Sequence, residues 1–136
     1  MRNPLGIDHV AIAVEDLDAA TALWRDALGL RVGVREVVAD QGVEVQMLYA
    51  GETRIELMRP LSPDSPVGKF LAKRGPGLHH LALAVEDVGA ALEGVKARGL
   101  RVIDEQPRAG AHGTRIAFLH PSAAGGVLAE LVEGGE

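Results

Sequence analysis

The stretch His9-Val-Ala-Ile-Ala-Val-Glu-Asp16 decides how this chain is built, because it returns almost unchanged as His80-Leu-Ala-Leu-Ala-Val-Glu-Asp87. The offset is 71 residues; six of the eight positions are identical, and the other two exchange one aliphatic side chain for another. The echo runs outward. Ala19-Ala20 answers Ala90-Ala91, and Gly29-Leu-Arg-Val32 answers Gly99-Leu-Arg-Val102. A repeat about half as long as the chain predicts two fused modules rather than a solenoid, which stacks three or more units.

Each module opens in the same way. Ile7 to Val14 and Leu78 to Val85 are apolar runs closed by Glu-Asp, the pattern of a buried strand. Asp16 and Asp87 suit helix N-caps, because a carboxylate there accepts the orphan N–H groups of the first turn. Apolar stripes follow at helical spacing: Ala20, Leu23, Trp24, Ala27 and Leu28, then Val88, Ala91, Leu92 and Val95. Gly29 and Gly99 stand where a helix stops with positive φ. Three strand-like pieces complete each module: Arg31 to Ala39, Val43 to Ala50 and Arg54 to Met58, then Arg101 to Ile103, Thr114 to Leu119 and Val127 to Val132. The reading is α+β: two tandem βαβββ modules, about residues 5–59 and 77–133, forming a curved mixed sheet around a cleft within one domain. The connector, about 60–76, is rich in proline and holds a short helix through Val67, Phe70 and Leu71, capped by Asp64 or Ser65. A second loop, Pro107 to Gly113, sets Gly110 and Gly113 around His112 and reads as mobile.

Composition narrows the function. Hydrophobic residues make up 47% and charged residues 24%, the balance of a globular domain, and the net charge is -5. With no basic block, nucleic acid is not expected as a partner. No apolar run approaches the roughly 20 residues of a membrane span, and Met1 to Asp8 lacks an apolar signal core, so a cytoplasmic location is expected. Cysteine is absent, so any metal must be held by nitrogen and oxygen donors.

Those donors are present in a symmetric set. His9 and His80 open equivalent strands. Each module ends with a carboxylate inside an apolar strand, Glu56 in Arg-Ile-Glu-Leu-Met and Glu130 in Leu-Ala-Glu-Leu-Val, 74 residues apart. An isolated carboxylate is costly to bury. Two histidines and two glutamates make a donor set for one divalent ion. Of His79 and His80, the repeat selects His80; His79 should face the other side of its strand.

The order of the segments carries a family resemblance. Ile7-Asp-His-Val-Ala-Ile-Ala-Val14, Asp40-Gln-Gly-Val43, Arg54-Ile-Glu-Leu-Met-Arg-Pro-Leu61, Asp64-Ser-Pro-Val-Gly-Lys-Phe-Leu71, Gly77-Leu-His-His-Leu-Ala82, Phe118-Leu-His-Pro121 and Gly126-Val-Leu-Ala-Glu-Leu-Val132 span nearly the whole chain. With them the chain resembles the vicinal oxygen chelate superfamily and, within it, the methylmalonyl-CoA epimerases. The resemblance implies interconversion of (2R)- and (2S)-methylmalonyl-CoA by removal and return of the α-proton. It also implies metal ligands at His9, Glu56, His80 and Glu130, cobalt as the favoured ion (nickel, manganese or zinc also fitting), an acyl-CoA substrate and a homodimer. Some epimerases carry a base glutamate two residues beyond the Val of Gln-Gly-Val; here that place is Val45. Glu44, one residue away, remains a second catalytic candidate, but strand alternation turns it and Gln46 from the metal. Glu130 is the first candidate for proton transfer, with a metal-bound water or His112 on the opposite face. Lys69, Lys73, Arg74, Arg108 and Arg115 are the cations available to CoA phosphates. The alternatives are a glyoxalase I-like lactoylglutathione lyase and a metal-free binding or resistance protein of the same fold.

Overall fold

Strand β1 (Gly6–Ala13) leads into helix α1 (Leu17–Ala22), and strands β2 (Arg31–Val38), β3 (Val43–Ala50) and β4 (Thr53–Pro60) complete the first βαβββ sequence. Helix α2 (Pro66–Arg74) fills the connector. Then come β5 (Gly77–Ala84), α3 (Val88–Ala97), a two-residue β6 (Arg108–Ala109), β7 (Thr114–Leu119) and β8 (Ala129–Gly134). The computed structural model describes residues 3–134, and these hold eight strands and three α-helices. The chain divides into two units: His9–His79, and the residues from His80 onward together with the described residues before His9.

The caps form where the sequence puts them. Asp16 accepts the N–H of Ala19 at 2.9 Å, and Asp87 accepts that of Ala90 at 3.0 Å. Ser65, rather than Asp64, caps α2 by accepting from Gly68 at 3.1 Å, with Pro66 in the first turn. Gly29 and Gly99 stop their helices at φ 78° and 77°.

Within the first unit the strands lie in the order β2-β3-β4-β1, with β1 parallel to β4 and the other pairs antiparallel. Within the second unit the order is β6-β7-β8-β5, with β5 parallel to β8. The register repeats too: Ala11 stands beside Glu56, and Ala82 stands beside Glu130.

The strands of each unit present two distinct faces. In the first unit Ile12, Leu48, Ile55 and Leu57 pack on Val14, Leu17, Ala20 and Trp24 around α1. In the second, Ala117, Leu119, Ala129 and Leu131 pack on Val88, Ala91, Leu92 and Val95 of α3. Leu57 is fully buried. Its truncation to alanine should cost about 2–5 kcal/mol, lost transfer energy plus a cavity, and chemical denaturation will measure it.

Two expectations need correction. Helix α1 passes into a wider turn at Leu23–Ala27, with Leu30 N–H donating to Trp24 O at 3.1 Å. The widening leaves Leu23 and Leu28 outside, 59% and 57% exposed, and only Trp24 of that half joins the core. Arg101 to Ile103 is not a strand. It contributes a single bridge, Val102 to Leu119, and the short strand of that module is Arg108–Ala109 instead. The cause is Asp104, whose carboxylate takes the Phe118 N–H at 2.8 Å, so that a side chain supplies what a ladder would have supplied.

Candidate metal centre

The strand parity that buries the helix faces puts the histidines and glutamates on the other side. On β1, His9, Ala11 and Ala13 are buried, in register with Arg54, Glu56 and Met58 of β4. The His9 Nε2 lies 3.7 Å from a Glu56 oxygen, with the side chains 7% and 5% exposed. In the second unit His80 and Ala82 share the face of Glu130, and His80 Nε2 lies 3.0 Å from Glu130 Oε1, with the side chains 1% and 3% exposed. Each unit therefore holds one buried imidazole against one buried carboxylate, at the same place in the same topology.

Such a pair needs a proton or a metal ion between its atoms. A carboxylate oxygen and an imidazole lone pair directed at each other repel unless a proton or a metal ion lies between them. Two donors each about 2.1 Å from a common ion are about 3.0 Å apart at a right angle and about 3.4 Å at the tetrahedral angle. The observed separations are close to those values. In each unit the buried imidazole and carboxylate offer one nitrogen and one oxygen donor, a combination that suits a divalent ion.

Adjacent residues of β5 go to different neighbours, as alternation requires. His79 packs edge-on against Phe70 of α2 at 4.8 Å, within its own unit, whereas His80 packs edge-on against Phe118 of β7 at 5.0 Å.

Glu44 stands elsewhere. The β3–β4 register runs unbroken, pairing Glu44 with Arg59 and Met47 with Glu56. Glu44 thus shares the helix-side face of Leu57, not the face of Glu56. Its carboxylate accepts from Arg59 at 2.8 and 3.2 Å. The irregularity of β2 between Val32 and Arg35 does not re-aim it, because it lies on the other side of β3. Glu44 is thus the ion-pair partner of Arg59 on the helix-side face. Glu44→Gln should leave any α-proton exchange within about twofold and stability within about 1 kcal/mol, since the pair is partly exposed. Val45, by contrast, is fully buried on the Glu56 face, beside Met58.

Gln46 has a structural task that sequence reasoning missed. Its Nε2 donates to Gly33 O at 2.9 Å, Val34 O at 3.2 Å and Met47 O at 3.1 Å, closing the β2 irregularity. Its Oε1 accepts from Arg35 Nε at 2.8 Å, and Arg35 also binds Asp18 at 2.7 Å. Nothing in a linear pattern announces a bulge.

The loop before β7 is pinned rather than open. Gly110 N–H donates to Thr114 O at 3.0 Å, and Thr114 Oγ1 donates to Ala111 O at 2.7 Å. A Cβ on Gly110 would lie 2.5 Å from Thr114 Oγ1 and 2.6 Å from Ile116 Cγ2, so only glycine fits. His112 takes a left-handed conformation there, φ 58°. Of the cations considered for CoA phosphates, Arg108 is tied to Asp104 at 3.1 Å and Arg115 to Glu133 at 3.7 Å.

This fold and donor set define a class. The chain belongs to the glyoxalase/bleomycin resistance protein/dioxygenase superfamily, whose family model matches residues 8–118. Several of its relatives are named epimerases. The ethylmalonyl-CoA/methylmalonyl-CoA epimerase of Cereibacter sphaeroides is 44% identical over 92% of this chain and 95% of its own. The crystal structure of methylmalonyl-CoA epimerase from Mycobacterium tuberculosis superposes with a TM-score of 0.93 at 41% identity, covering 100% of this chain and 94% of that one. A methylmalonyl-CoA epimerase in complex with methylmalonyl-CoA and ammonium superposes at 0.91 with 41% identity, covering 97% and 96%.

Proposed function

We propose that this chain is a metal-dependent epimerase that interconverts (2R)- and (2S)-methylmalonyl-CoA, with His9, Glu56, His80 and Glu130 as the ligands of one divalent ion. The observation that carries the reading is the buried histidine–glutamate pair repeated in identical register in each unit. The epimerase relatives supply the substrate class. Among oxygen- and nitrogen-liganded ions cobalt is favoured.

The chemistry is proton removal from a carbon between a thioester and a carboxylate. Its difficulty is the negative charge that develops on the substrate oxygens, and a bound divalent ion would supply Lewis-acid stabilisation of that charge. Glu130 takes the proton. Its Oε1 faces His80, so the proton is assigned to Oε2. Ala82, Ile116, Phe118 and Val132 lie on the same face and surround the buried carboxylate with apolar side chains. Return of the proton to the opposite face of the flattened carbon inverts the centre. Val45 supplies no proton carrier in the first module, so that step falls to a water or to His112.

The same reading makes the chain a cytoplasmic homodimer. It is supported by the exposed apolar side chains of Val34 and Val37 on the edge strand β2, and light scattering tests it. Among the described residues no helix is long and apolar enough to cross a membrane.

The deciding experiment is α-proton exchange of methylmalonyl-CoA in heavy water with added cobalt, nickel, manganese or zinc. Exchange that EDTA abolishes is the expected result. No exchange with any of these ions, or turnover of methylglyoxal with glutathione instead, would reject the epimerase.

A further inference from the structure

The two half-sites are not identical, and the difference lies at one repeat-equivalent position. Met47 stands opposite Glu56 in the β3–β4 ladder; Phe118, 71 residues later, stands opposite Glu130 in the β7–β8 ladder. A flexible thioether in one module is thus a flat ring in the other. The Phe118 ring meets the His80 imidazole at 5.0 Å between centroids and 89° between planes, an edge-to-face arrangement. Met47 offers His9 no such surface.

Phe118 is itself held. Asp104 accepts its N–H at 2.8 Å, and the N–H groups of Ile103 and Asp104 donate to its carbonyl at 2.9 and 3.2 Å. The other oxygen of Asp104 pairs with Arg108 Nε at 3.1 Å, and the Arg108 guanidinium lies over the Phe118 ring at 5.8 Å. One carboxylate therefore fixes both the backbone of Phe118 and a cation over its ring. All of these residues belong to the second unit.

We propose that Phe118 is a positioning residue: it locks the imidazole of His80 in the orientation that aims Nε2 at Glu130, and the Asp104–Arg108 pair locks Phe118 in turn. The ring torsion of histidine has broad wells, so an unbraced imidazole samples orientations that miss the ligand position. The second half-site is accordingly the rigid one, and its pair is the shorter of the two, 3.0 Å against 3.7 Å. Neighbours that orient a ligand histidine contribute about 10- to 100-fold to metal affinity.

The inference rests on the metal reading above, and the test separates the two. Phe118→Leu and Asp104→Asn are titrated with cobalt against a competing chelator, the visible spectrum of each cobalt-loaded protein is recorded, and each apo-protein is melted. The His80 ring protons of the apo-proteins are followed by NMR. Phe118→Leu should weaken cobalt about tenfold, shift the visible bands and move the His80 ring signals. Asp104→Asn should weaken cobalt about two- to fivefold in the same direction. A merely structural role would lower the melting temperature and leave affinity, spectrum and ring signals of the folded protein unchanged, and that result overturns the proposal. If Phe118→Leu does not fold, Asp104→Asn decides by the same criteria. A wild-type protein that binds no cobalt overturns the metal reading and this inference with it, whereas tight wild-type binding with unaffected variants overturns the inference alone.

Discussion

Replacing His80 with alanine will reduce cobalt affinity by at least a hundredfold and bring α-proton exchange down to the metal-free background. The side chain is 1% exposed, and its Nε2 lies 3.0 Å from Glu130, so no water-filled space is ready to supply a substitute donor. On the proposed metal site, loss of one of four ligands costs more than disturbing a neighbour that only orients a ligand, which is worth about 10- to 100-fold. The apo-protein will lose stability as well, on the order of 3 kcal/mol, because the carboxylate of Glu130 stays buried without its imidazole. Isothermal titration with cobalt, exchange in heavy water and thermal melting measure the three effects. Full cobalt affinity in the alanine variant would remove His80 from the site.

Glu130→Gln is the second large effect, and it separates catalysis from stability by sign. The amide keeps the shape of the side chain but removes its charge and its capacity to carry a proton. Loss of a general base costs about 10²- to 10⁴-fold, so exchange should fall by about 10³-fold or more. Cobalt affinity should fall too, by about tenfold, because an amide oxygen is a weaker ligand than a carboxylate. The apo-protein, in contrast, should melt no lower than wild type, since a buried charge has been replaced by a neutral group of equal size. An exchange rate within tenfold of wild type would show that the proton is carried elsewhere.

Much of this could be read without coordinates. The 71-residue echo foretold two βαβββ sequences, and the cap residues Asp16 and Asp87 foretold where both module helices begin. Alternation along a strand separated His79 from His80 and turned Glu44 away from the Glu56 face, because a period of two leaves only two sides to choose from. Where the reading failed, local pattern was overridden by a longer-range bond. Arg101 to Ile103 looks like a strand, but the carboxylate of Asp104 occupies the partner position at Phe118. Leu23 and Leu28 continue a helical stripe, but a wider turn rotates them out of it.

By itself the sequence determined the duplication, the strand parity and the identity of the four candidate donors, since these depend on residue type and on spacing along one chain. Tertiary structure alone decided that each histidine lies against the glutamate of its own module, at 3.7 and 3.0 Å, and that Phe118 rather than a methionine stands beside the second pair. The reason is physical. Periodicity fixes the face on which a side chain emerges, whereas its neighbour across a ladder depends on register between strands 47 or 50 residues apart, Glu56 from His9 and Glu130 from His80. Only the folded chain sets that register.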